Sequence, residues 1–131
     1  MFEAHAWFQL SDDSMESNQA AIDAALPQVE AAVAALDEAN AATTAARLLA
    51  RNGTYYVTVL IDSNRRRYEA DLLDRLASLI ADELPGSYGV IYERDDEGPS
   101  PDFLVRRLAR GQITVHPDSL LSPIDPSIEG L

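Results

Sequence analysis

The sequence predicts an α+β fold: a mostly antiparallel sheet of about five or six strands, two helices on one of its faces, and an extended, Pro-containing C-terminal tail. Three observations carry that prediction. FEAHAWFQL alternates apolar and polar residues over 2–10, aliphatic residues recur at spacings of four and three between Ile22 and Leu36, and Asn52-Gly53 stands between two apolar runs. These patterns mark a half-buried strand, an amphipathic helix and a two-residue hairpin. At 131 residues, the chain fits one domain, 1–131, with enough buried surface for a core without staples.

The first strand places Phe2, Ala4, Ala6, Phe8 and Leu10 on one side, and Glu3, His5, Trp7 and Gln9 on the other. Trp7 on the polar side calls for a cover, either from the same chain or from another protein. SDDSMESNQ offers Ser11 or Ser14 as a helix cap. A helix follows with Ile22, Leu26, Val29, Val33 and Leu36 toward the core, and Pro27 within it predicts a kink. Glu16, Asp23, Glu30 and Asp37 form an acidic stripe at seven-residue intervals, neighbours being roughly 10 Å apart. This is the ordinary character of a solvated flank, and also an edge that would accept a basic partner.

After the Asn52-Gly53 turn, Tyr55, Val57, Val59 and Ile61 face one way and Tyr56, Thr58 and Leu60 the other, as in a strand inside a sheet. The second helix has Tyr68, Leu72, Leu76, Leu79 and Ile80 inward and closes at Pro85-Gly86. Arg65, Arg66 and Arg67 lie at its start, the unfavourable end for cations, and pairing with Glu69 and Asp71 is expected to offset part of that cost. Strands follow over 87–94, 102–109 and 112–116, with an acidic turn between the first two and a turn at Gly111. The tail, 116–131, keeps Leu120, Leu121, Ile124, Ile128 and Leu131 among three prolines and is expected to lie extended on the domain.

Ten Arg and no Lys stand against 22 acidic residues, a net charge of −12. Nucleic acids and anionic membranes need a cationic footprint, so neither is the expected partner. A basic protein partner, or solubility alone, fits this balance. The absence of Cys excludes disulfides, thiolate metal sites and a cysteine nucleophile. The start, MFEAHAWFQLSDD, has no basic region before an apolar run, so a cytoplasmic protein is expected.

Residues for chemistry are sparse. His5 and His116 sit at opposite ends of the sequence, RDDEG lacks the spacing of a calcium loop, and no phosphate cradle or nucleophile elbow occurs. Asp95 and Asp96 are adjacent on a tight turn, where neighbouring carboxylates point apart. No catalytic residue, cofactor or metal is therefore predicted. The rival reading is a small enzyme or ligand-binding module with a pocket over His5, Trp7 and His116.

EAHAW at 3–7, PGSYGVIYERDDE at 85–97, LARG at 108–111 and DSLLSPIDPSIEG at 118–130 together resemble immunity protein family 7 of bacterial polymorphic toxin systems. Glu3, His5 and Trp7 match the first block, with Ala6 where Gly is commoner. Tyr88, Gly89, Tyr92, Arg94, Asp95 and Asp96 match the second, and Leu121, Ser122, Pro123 and Pro126 the tail, where Ile124 replaces a frequent Cys and Asp125 a frequent aliphatic residue. The resemblance implies an immunity-type domain that binds and neutralises a cognate toxin domain. Given the acidic balance, that toxin is expected to be basic, such as a nuclease, with Glu93, Asp95, Asp96 and Glu97 as charged contacts and Trp7 and Tyr92 as anchors.

Overall fold

The computed structural model describes residues 1–12 and 19–123. Elements follow in the order β1 (Phe2–Gln9), α1 (Gln19–Ala39), β2 (Thr44–Arg51), β3 (Thr54–Ser63), α2 (Tyr68–Glu83), β4 (Tyr88–Asp95), β5 (Leu104–Ala109) and β6 (Gln112–Pro117). The strands form one sheet in the order β2-β3-β1-β4-β5-β6, every neighbouring pair antiparallel. The fold is α+β, as the sequence predicts.

The alternation of β1 sets the two faces of the sheet. Phe2, Ala4, Ala6 and Phe8 are buried in one cluster with Val57, Val59 and Ile61 of β3, Ile91 of β4 and Leu108 of β5. Both helices cover this face. α1 contributes Ile22, Ala25, Val29, Val33 and Leu36 and runs unbroken through Pro27. The aliphatic stripe keeps its phase across the proline, so burial on both sides offsets the backbone hydrogen bond that Pro27 removes.

α2 buries Leu72, Leu73, Leu76, Ala77 and Ile80. Tyr68 does not join them: it is 59 % exposed, while Leu73 is fully buried. At 100° per residue Tyr68 lies about 140° round the helix from Leu73, so the first turn buries Ala70 and Glu69 instead. The arginines before the helix also differ from expectation. Arg66 reaches Asp71 at 3.5 Å and Asp74 at 3.0 Å, and Arg65 turns away to Glu97 at 3.8 Å. α2 begins after an extended residue 67, so the arginines leave its axis before they can align with side chains four positions on.

Two hairpins fix register. Asn52 and Gly53 have φ of 52° and 78°, and Arg110 and Gly111 have 55° and 72°. Positive φ at both central residues is the turn whose twist matches that of paired strands. The acidic stripe of α1 is not uniform. Asp37 accepts the Ala46 N–H at 2.9 Å and lies 3.2 Å from Arg47, tying the helix to β2, whereas Asp23 meets Gln19 and Glu30 is exposed. Glu16, Ser14 and tail residues 124–131 lie outside the described residues.

Candidate functional site

The face of the sheet opposite the helices presents Glu3, His5, Trp7 and Gln9 from β1, flanked by Thr58 and Leu60 of β3 and by Tyr88, Val90, Tyr92 and Arg94 of β4. Side-chain alternation dictates this set, because each is the out-of-core neighbour of a buried residue. Trp7, Leu60 and Tyr88 are 44–46 % exposed, unusual for large apolar groups this near one another. Tyr88 meets Trp7 edge to face at 6.0 Å and its hydroxyl donates to Gln9 at 2.5 Å. An open groove of about 420 Å³ continues from this pair across Val90 and Val105 to Arg107 and His116.

Gly89 and Ser87 position this aromatic pair. A Cβ on Gly89 would strike the Trp7 carbonyl oxygen and stand 2.8 Å from Phe8 Cα. Ser87 is fully buried, accepting the Ser11 N–H at 2.9 Å and donating to the Ser11 carbonyl at 3.1 Å. The Ser-Tyr-Gly sequence therefore clamps β4 against the end of β1.

A second cluster occupies the other end of the same face. Tyr92 stacks on Phe103 with ring centres 4.6 Å apart, and the Arg94 guanidinium lies 5.6 Å from the Phe103 ring centre. Arg94 also pairs with Glu3 at 2.6 Å, and Glu3 with His5 at 3.1 Å. Burial works to raise the Glu3 pKa, but His5 and Arg94 overcome it and hold the carboxyl below its ordinary value.

The described start of the tail lies on this cluster. Phe103 N–H donates to Ser122 Oγ at 2.9 Å, and Asp118 accepts the N–H groups of Leu120 and Leu121 at 3.0 Å. Burial, and then the facing Asp118 carboxylate, push the Tyr92 hydroxyl up to about 12. Burial would raise the Asp118 pKa, but the Tyr92 hydroxyl and neighbouring backbone donors bring it down to about 2. The Asp118 contribution is thus present above its ordinary pKa of 3.8 and lost as pH falls toward about 2. The Tyr92 contribution is present below 10.0 and lost as pH rises through about 12. Truncation after His116 is expected to lower the melting temperature by several degrees at neutral pH, and a thermal melt followed by circular dichroism checks it.

The expected contact residues divide into three places. Trp7 is on the open face beside the groove, while Tyr92 is on the same face but half-covered by Phe103 and the tail. Glu93 points to the helix side, opposite Ala4, and pairs with Arg106 at 2.9 Å; Arg106 also pairs with Asp74 of α2 at 2.7 Å. Asp95, Asp96 and Glu97 form the tip after β4. Asp95 accepts the Glu97 N–H at 3.0 Å, Asp96 meets the N-terminal ammonium at 2.5 Å, and Glu97 is the partner of Arg65. Asp95 is five residues along β4 from Val90, the neighbour of Trp7, or about 17 Å. Trp7 and His116 line one groove, and His5 is not part of its lining.

Tyr88, Leu60 and Arg107 are not among the contact residues expected from sequence. The alternation of β3 and β4 already put Leu60 and Tyr88 away from the core, but the pairing of each strand with β1, which gathers them round Trp7, is a long-range fact. Among the described residues no three His, Asp or Glu side chains are grouped to hold a metal ion, and no helix is long and apolar enough to cross a membrane.

No curated protein and no solved structure is significantly similar to this chain. A family model described as Immunity protein 7 matches residues 1–130. The match takes in every element of the sheet, both helices, the Ser-Tyr-Gly clamp and the tail contact, so the chain belongs to the immunity protein 7 family.

Proposed function

We propose that this immunity protein neutralises a cognate toxin domain by binding it, making and breaking no covalent bond itself, in the cytoplasm of the cell it protects. The observation that carries this reading is the family match over residues 1–130. The toxin is basic, such as a nuclease, because a net charge of −12 attracts a cationic surface at long range and repels anionic ones. The tip Asp95, Asp96 and Glu97 steers the encounter, and Trp7 beside Tyr88 supplies the aromatic anchor. Tyr92 and Glu93 act from beneath, one holding the tail and the other fixing the strand that carries the tip.

The test is growth rescue. Cells expressing the toxin encoded beside this chain's gene survive when the chain is co-expressed, and continued killing despite full expression of folded protein overturns the reading. Replacing Asp95, Asp96 and Glu97 together with Ser is expected to slow association about tenfold at low salt and to flatten its salt dependence. Stopped-flow mixing at two ionic strengths measures both, and an unchanged salt slope removes the tip from the interface.

A further inference from the structure

The two edges of the sheet are finished differently. In an antiparallel pair, residues alternate between those whose backbone groups bond the neighbouring strand and those whose groups point away. A two-residue turn makes its flanking residues a bonded pair. For the β2–β3 hairpin that pair is Arg51 and Thr54, so Ala46 points outward, and Asp37 indeed caps its N–H. Arg47 and Arg51 add charge to that edge, and α1 packs beside it.

The same count on the β5–β6 hairpin starts from Ala109 and Gln112, so Ile113 and Val115 turn their N–H and C=O groups outward. Among the described residues no strand lies beyond β6, and neither N–H there bonds another described residue. Among the described residues nothing blunts this edge between Gln112 and His116: the stretch has no carboxylate, Lys or Arg, and it carries the β-branched run Ile113-Thr114-Val115. Val115 is 62 % exposed. Proteins ordinarily protect such an edge with charge, proline or a covering element, because it is a template for another strand.

We infer that β6 is the docking edge for an extended strand of the toxin domain, which adds to the sheet through the backbone groups of Ile113 and Val115. This rests on the reading that the partner is a basic toxin. Charge selects the occupant. Two copies of a chain with a net charge of −12 repel one another. A basic strand finds attraction instead, because the C-terminal end of α2 reaches the start of β6: the Ala81 carbonyl lies 3.4 Å from where a Gly111 Cβ would be, next to exposed Asp82 and Glu83. Carboxylates and the negative pole of the helix there favour a cation flanking the incoming strand. Pro117 has no N–H to offer and ends the usable edge, so the strand is about five residues long, with apolar side chains over Val115.

Val115→Pro tests this selectively. Its N–H makes no bond to β5, so the hairpin tolerates the substitution, whereas the outward donor is lost. Against the inactivated toxin domain encoded beside this chain's gene, affinity measured by calorimetry is expected to fall at least tenfold with the melting temperature nearly unchanged. Equal affinity overturns the inference while leaving inhibition intact, and failure of the unaltered chain to bind overturns the functional reading itself. Amide hydrogen exchange on the unaltered protein is independent of any folding defect. The Ile113 and Val115 amides are expected to exchange quickly alone and slowly in the complex. Unchanged exchange, or protection that arises without toxin as the mass doubles, overturns the inference.

Discussion

Gly89→Ala is expected to lower the melting temperature by about 10 °C or more, the largest effect of a single added methyl group in the sheet. The added Cβ would overlap the Trp7 carbonyl oxygen and approach Phe8 Cα and Cδ1 at 2.8 Å. Two of these three neighbours are backbone atoms of β1, paired on its other side to β3, so they cannot yield without breaking a ladder. Overpacking of this kind costs about 3 kcal/mol, and for a chain of this size each kcal/mol is worth about 3–6 °C. A thermal melt measures it; a variant that melts with the unaltered protein would show that β4 can move away from β1. Surviving toxin binding is expected to weaken too, because Trp7 and Tyr88 are placed by this approach.

The second large effect is Arg106→Met. Arg106 lies between Glu93 of β4 and Asp74 of α2, its side chain 15 % exposed and that of Glu93 14 %. Without the guanidinium, the Glu93 carboxylate, 14 % exposed, loses its partner while Asp74 keeps Arg66 at 3.0 Å, and stranding a buried charge in this way costs about 3–5 kcal/mol. Chemical denaturation should show a lower midpoint with an unchanged slope. The double variant Glu93→Met with Arg106→Met is expected to recover most of the loss, since well-packed apolar groups often replace a buried ion pair without penalty. A double variant as unstable as the single one would mean that the arginine acts through packing rather than charge.

The sequence made the local elements legible wherever one period dominates. The alternation of 2–10, the stripe from Ile22 to Leu36 and the Asn52-Gly53 turn each correspond to an observed element. Tyr68 has the spacing of the inward stripe, but Leu73 is the centre of that stripe, which leaves Tyr68 on the solvent side. Glu93 was grouped with the acidic tip by adjacency. Its own alternation with Gly89 and Ile91 assigns it to the helix side, but its partner Arg106 comes from the next strand, a pairing that no local pattern contains. The open face was half legible: Trp7 stood out at once, while the groove beside it needed the order β1-β4-β5-β6.

The position of β1 bears on how the protein is made. Phe2 pairs with Ser63 on one side and with Asp95 on the other, so a strand that precedes both of its neighbours in the chain lies in the interior of the finished sheet. Translation at about 5–20 residues per second delivers those later segments only after several seconds. Before β3 is made, Phe2 and Phe8 have no ladder on either side. A nascent chain can pair β1 on one side once Ser63 is made, but its second ladder waits for Asp95, and until then one edge of β1 stays open.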